Sequence, residues 1–294
     1  MGESHHPLSG PNDPNIVFKS AATFILRHME FRRGTILRVS WVLRIGVAME
    51  FIGHGALGLH HPAAWVPYFA LMGISREAAL TLMPLAGALD IALAFAVLLY
   101  PARAVILYMA AWGFCTALLR PMAGEPVWEA VERAGNFGAL LALFLLARGG
   151  GARAWLRFDR VDAPDARRCL QVSWVLRLTT VALLLGHGAL GLLVRKPLLG
   201  AQYAAIGLQG SWVEPLIGGF EIALAAGVLL WPEFGLLVFV IAWKLATEAL
   251  SPIAGSPIWV FVEHGGSYAA PLALALLNRG ALGVASRPLR RSPA

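Results

Sequence analysis

Apolar residues fall in eight long blocks, at about residues 39–59, 81–99, 103–119, 128–147, 173–192, 212–230, 234–250 and 259–277, parted by short segments rich in Pro, Gly, Arg and Glu. Each block holds roughly 17 to 21 residues, and a helix rising 1.5 Å per residue needs about 20 to cross a ~30 Å hydrocarbon layer. The pattern predicts an all-α polytopic membrane protein with eight transmembrane helices. Composition agrees: 58% of the 294 residues are hydrophobic, 14% are charged, and the mean hydropathy is +0.66, too apolar for an ordinary water-exposed surface.

The blocks repeat. GHGALG occurs at 53–58 and at 186–191, and VSWVLR at 39–44 returns at 172–177. Further on, Pro84, Asp90, Pro101, Trp112, Pro121, Trp128 and Glu132 match Pro215, Glu221, Pro232, Trp243, Pro252, Trp259 and Glu263. The offset falls from 133 to 131, so the first outer loop is two residues shorter in the second copy. Four helices per copy is an even number, so both copies enter the bilayer from one side and form parallel repeats. The expected divisions are an N-terminal interfacial segment (1–38), a first repeat (39–148), a basic Gly-rich linker (149–171), a second repeat (172–279) and a basic tail (280–294).

Charge follows the loops. With the N-terminus in the cytoplasm, sixteen Lys and Arg residues fall inside and only Arg76, Arg120, Arg133, Arg195 and Lys196 fall outside. This satisfies the positive-inside rule and places both termini in the cytoplasm, as for a protein of a bacterial inner membrane. Topology therefore explains the net charge of +7 without nucleic acid. Residues 1–37 lack the three-part pattern of a signal peptide. Residues 20–38, with Phe24, Ile25 and Leu26 beside Arg27, Arg32 and Arg33, suit a helix lying on the membrane surface. Cys115, in an apolar block, and Cys169, in the linker, are expected in different layers and therefore unbridged.

An Arg early in the first helix (Arg44, Arg177), a Gly-His-Gly turn at its end, an acid among small residues in the second helix (GALDIALAFAVLLYP, GGFEIALAAGVLLWP) and a Gly-rich fourth helix resemble the DoxX-like membrane family. The resemblance covers both halves as a fused tandem pair. It implies a membrane subunit of a redox or respiratory complex that meets the quinone pool or anchors an extrinsic oxidoreductase. The acidic Asp159 after the first copy has no counterpart after the second.

Ionisable groups inside a membrane are costly and are normally paired or turned to a cavity. Counted from the cytoplasmic ends, Arg44 and Arg177 lie roughly 6 to 8 Å deep and Asp90 and Glu221 roughly 14 to 15 Å deep, which predicts the pairs Arg44–Asp90 and Arg177–Glu221. These serve as structural braces or as a quinone-headgroup or proton site. Glu50 is replaced by Leu183 in the second copy and Lys244 stands where the first has Gly113; both lie roughly 15 to 16 Å deep, so a cross-repeat Glu50–Lys244 pair competes with Lys244 pairing Glu248 one turn on in its own helix. His54, His187 and Glu248 share an outer layer with Glu132, Glu263 and His264 at the starts of the fourth helices. Imidazoles and carboxylates at one depth suit a quinol, a transition metal on His54 and His187, or a haem between them, although no haem-specific motif accompanies the pair. A lone histidine between glycines also serves simply to bond a carbonyl of the next helix.

No Walker loop, dinucleotide fingerprint, nucleophile elbow, HExxH or Cys-x-x-Cys occurs. Three functions stay open: a redox-complex subunit, a small-molecule or ion transporter, and a non-catalytic scaffold among other membrane subunits. Against transport stands the expectation that Pro84 and Pro215 lie in first helical turns and that no helix is interrupted at its middle.

Overall fold

The computed structural model describes residues 33–147, 155–156 and 165–285, and every regular element among them is helical. The first repeat contains α1 (Arg33–His60), α2 (Val66–Ala70), α3 (Arg76–Leu99), α4 (Arg103–Met122), α5 (Val127–Glu132) and α6 (Gly135–Leu146). The second contains α7 (Ala166–Ala189), α8 (Pro197–Ala204), α9 (Val213–Leu230), α10 (Phe234–Ile253), α11 (Ile258–Val262) and α12 (Gly265–Ala285). The N-terminal segment up to residue 32, most of the linker and the tail from residue 286 lie outside the described residues.

All eight apolar blocks are helical, and six helices are long and apolar enough to cross a membrane: α3, α4, α7 with its continuation to Val194, α9, α10 and Ile258–Arg279. The other two expected spans miss that standard for physical reasons. α1 is 28 residues long but carries Arg33, Arg38, Arg44 and Glu50. The fourth block of the first repeat is divided into α5 and α6, of 6 and 12 residues.

The same break recurs in the second repeat, between α11 and α12 at Glu263 and His264. Both fourth spans are thus interrupted helices, contrary to the expectation of unbroken ones, and Pro84 lies inside α3 rather than in its first turn. α7 widens into a π turn over Leu190–Val194 and closes on Arg195 at φ 52°, in the outer loop that is two residues shorter than its counterpart.

α1, α6, α7 and α12 form the centre, and Leu43, Val47, Leu140, Leu143, Leu176 and Leu274 are almost fully buried among them. α3, α4, α9 and α10 lie outside, showing Leu85, Phe95, Leu99 and Phe239 outward. An apolar outer face is what lipid requires, and it also means that water exclusion cannot drive these helices together; close packing of small residues must. Cys115 is on that outer face and Cys169 is buried in the first turn of α7 rather than in a linker, and the two are not joined by a disulfide.

Glycines mark where backbones touch. A Cβ on Gly53 would stand 2.3 Å from the backbone nitrogen of Glu263, and one on Gly186 would stand 2.2 Å from that of Glu132. The first glycine of each GHG therefore packs on the fourth span of the other repeat. The second packs on the second span of its own: Gly55 on Gly87, and Gly188 on Gly218. α6 and α12 cross at Gly135 and Gly266, again at backbone distance. The repeats are interlocked, each supplying the fourth span that covers the first span of its partner.

Candidate functional site

Held between those two contacts, each GHG histidine is directed to the acid of its own repeat. His54 Nδ1 lies 2.7 Å from Asp90 Oδ2, and His187 Nδ1 bonds Glu221 Oε2. This overturns the expected Arg44–Asp90 and Arg177–Glu221 pairs. Arg44 Nε donates to the Val97 carbonyl at 3.0 Å and Arg177 Nε to the Val228 carbonyl at 3.1 Å, with the guanidiniums over Trp41 and Trp174. They serve the C-terminal turns of α3 and α9, where unpaired carbonyls and the helix dipole favour a cation. The register explains the difference. His54 is level with Asp90 and Arg44 lies ten residues earlier on α1, about 15 Å along the axis, beyond the reach of its side chain.

Around these matching dyads the repeats diverge. In the second, Trp243 Nε1 donates to Glu221 Oε1 at 2.9 Å, and Lys244 Nζ lies 2.5 Å from Glu248 Oε1. His264 Nε2 lies 3.5 Å from Glu248 Oε2, and its Nδ1 is 2.7 Å from the Val260 carbonyl oxygen. Glu132 comes from the first repeat, brought in by the contact of Gly186 with its backbone. Glu132, His187 and Glu248 each offer a ligand atom within 4.8 Å of the others. The pairing of Lys244 within its own helix agrees with one sequence expectation, and the cross-repeat Glu50–Lys244 pair is not formed because Glu248 takes the ammonium.

In the first repeat Gly113 and Ala117 stand where the second has Lys244 and Glu248, and beside Gly113 is a small cavity of about 10 Å³, room for about one water. Glu50, Phe51, His54, Asp90, Trp112, Gly113, Thr116 and Asn136 line it. Three buried polar atoms there have no hydrogen-bond partner: Glu50 Oε2, Asp90 Oδ1 and Trp112 Nε1. Asp90 is one methylene shorter than Glu221, and the indole that reaches the acid in the second repeat does not reach it here. Such unpaired groups cost about 1–3 kcal/mol each when buried, so the first repeat's polar cluster is less well satisfied than the second's.

His54, Trp112 and Thr116 also line an adjoining, largely apolar pocket of about 80 Å³ with Trp65, Tyr68, Phe69, Met72, Met83, Ala86 and Leu119. Trp65 and Tyr68 in turn border an outer pocket with Leu57, His61, Arg120 and Glu263. The expected single layer is therefore divided. Glu132, His187, Glu248 and His264 gather in the second repeat, whereas His54 stands against Asp90 and Trp65 and Glu263 stands on the outer pocket. His54 and His187 are not brought to one metal position: the ligand atoms that lie within 4.8 Å of one another among the described residues come from Glu132, His187 and Glu248, without His54.

The outer rim is tied by charge. Tyr68 Oη donates to Glu125, Arg120 Nη1 lies 2.9 Å from Glu125 Oε2, and Lys196 Nζ of the second repeat lies 2.5 Å from Glu129 Oε1. Burial pushes the Tyr68 phenol up to about 12, with the Glu125 carboxylate adding to it against the Arg120 charge. Burial also pushes the Glu125 carboxyl up, but the Tyr68 hydroxyl and the Arg120 guanidinium outweigh it and hold that group below its usual range.

Fold and site together define an all-α integral membrane protein with a polar pocket in one repeat and an ionic cluster in the other. No family model, curated protein or solved structure matches the chain.

Proposed function

We propose that the protein is a DoxX-like membrane subunit of a redox complex that binds a quinone headgroup in the first repeat, with electrons exchanged through an attached oxidoreductase. The observation that carries this is the pairing of the apolar pocket of about 80 Å³ with a small polar cavity lined by three unpaired groups. A quinol ring suits the first, bounded by Trp65, Phe69, Met83 and Trp112. Its hydroxyl suits the second, accepting from Trp112 Nε1 and donating to Asp90 or Glu50. A proton leaving that hydroxyl has the His54–Asp90 dyad beside it, and His54 borders the pocket that leads outward.

On this proposal the chain crosses a bacterial inner membrane eight times. α1 and the α5–α6 pair are taken as spans because their counterparts α7 and α11–α12 are long and apolar enough, and the charge distribution puts both termini in the cytoplasm.

Gentle purification is expected to yield bound quinone, and a short-chain quinone is expected to bind the emptied protein. Asp90→Asn and Trp112→Phe should each weaken that binding at least tenfold and Trp243→Phe should leave it unchanged. A protein that carries no quinone and binds none refutes the proposal. Transport is the second reading, favoured by the interrupted fourth spans, since broken helices line many transport sites; it requires a substrate flux into proteoliposomes that Asp90→Asn abolishes.

A further inference from the structure

The ionic cluster of the second repeat does not enter the quinone proposal. We propose that Glu132, His187, Glu248 and His264 form a binding site for one divalent first-row metal ion, of the Zn²⁺, Fe²⁺ or Mn²⁺ class, enclosed between the two repeats.

The donor set comes first. Two imidazoles and two carboxylates suit these borderline ions, whereas calcium and magnesium favour all-oxygen shells. The spacing is compatible. With bonds of about 2.0–2.2 Å, tetrahedral ligand atoms stand roughly 3.4 Å apart. His264 Nε2 and Glu248 Oε2 are 3.5 Å apart, and the ligand atoms of Glu132, His187 and Glu248 lie within 4.8 Å of one another, so three ligands are gathered and His264 adjoins them through Glu248.

The outer partners are those a metal site needs. A ligating histidine normally donates its second ring N–H to a carboxylate or carbonyl, which fixes the tautomer and orients the ring. His187 Nδ1 is held by Glu221, itself bonded by Trp243 Nε1, and His264 Nδ1 is held by the Val260 carbonyl. Both rings are thus left with Nε2 for a metal. Lys244 occupies one oxygen of Glu248 and leaves the other toward His264.

Glu132, Glu221 and Glu248 carry three negative charges, and Lys244 and Arg133 supply two positive ones, since Glu129 is already met by Lys196; with neutral imidazoles the cluster keeps one negative charge, which favours a bound cation. The set is also not duplicated in the fold. The positions of Glu248 and His264 are Ala117 and Arg133 in the first, so the symmetry of the fold does not account for it.

The test is metal analysis of the full chain purified in mild detergent, followed by chelation and titration with Zn²⁺ and Co²⁺. About one metal per chain is expected, with a thermal midpoint that rises on Zn²⁺ addition and visible bands of four-coordinate Co²⁺. Glu248→Gln and His264→Gln should lose the Co²⁺ bands, Glu221→Gln should weaken binding about 10- to 100-fold, and His54→Gln should keep both. Should a variant fail to fold, the Co²⁺ spectrum of the unaltered protein decides alone. Sub-stoichiometric metal with no Co²⁺ bands, or bands that persist in folded Glu248→Gln and His264→Gln, overturns the proposal. Because quinone is measured separately, either proposal can fail without the other.

Discussion

At the scale of single residues, the two repeats act as an internal control, since the same side chain sits in two environments. Trp243 donates to a buried carboxylate and Trp112, its counterpart, has no acceptor. Trp243→Phe should therefore lower stability by about 1 kcal/mol, while Trp112→Phe should cost less because no hydrogen bond is lost; comparison of thermal midpoints in one detergent checks this, and equal losses would contradict it. The Tyr68–Glu125 tie gives a second prediction, with opposite signs at the two ends of the pH scale. A carboxyl held below its ordinary 4.5 contributes fully above that pH and loses its contribution as pH falls through the folded value. A phenol raised from 10.0 to about 12 contributes fully below 10.0 and loses its contribution as pH rises toward 12. Hydrogen exchange of the loop carrying Tyr68, corrected for intrinsic rates, should be slowest between these limits, and Tyr68→Phe should flatten the profile. The residues of both sites were legible in the sequence as intramembrane polar groups. Their partners were not, because counting depth from block edges assumes that the first and second spans start level; instead Arg44 stands beside Val97 near the end of α3, which brings His54, not Arg44, to the height of Asp90.

At the scale of elements, the GHG sequence is a junction. Its first glycine admits the fourth span of the other repeat, its second admits the second span of its own, and the histidine between them is fixed on the acid that the second contact brings near. Gly53→Ala and Gly186→Ala each drive a methyl group into backbone that cannot yield, so both should lower the thermal midpoint severely or prevent accumulation of folded protein. Gly219→Ala meets nothing within 4 Å and should be neutral or slightly stabilising, by up to about 1 kcal/mol. Detergent-resistant monomer yield and thermal midpoint distinguish the two classes. Helix positions followed directly from hydropathy, because length and apolarity suffice to define a span. The breaks before α6 and α12 did not, because they arise from the crossing at Gly135 and Gly266, and a Gly-rich helix start has the same composition whether or not another backbone passes over it.

At the scale of the whole molecule, one four-helix pattern written twice carries different polar groups in its two copies. The dyads His54–Asp90 and His187–Glu221 are the shared inheritance of the repeats. Gly113 and Ala117 then leave space in one repeat, while Lys244, Glu248 and His264 fill it with charge in the other. Neither site belongs to one repeat alone, because Glu132 reaches the second repeat's cluster from the first, and Glu263 of the second repeat borders the first repeat's outer pocket. This interlocking gives a folding prediction. A first repeat made alone lacks α11 and α12, so Gly46 and Gly53 of α1 would face lipid instead of the backbone that now covers them. Small residues without a close partner gain little packing in a bilayer, and the buried Glu50 would lose the protein that shields it. Each half expressed separately, divided within the linker, should therefore be degraded or should form dimers of itself, whereas coexpressed halves should associate and recover the native thermal behaviour. Stable, monomeric single halves would show that the glycine contacts between repeats are incidental, and with them the assignment of Glu132 to the second repeat's site.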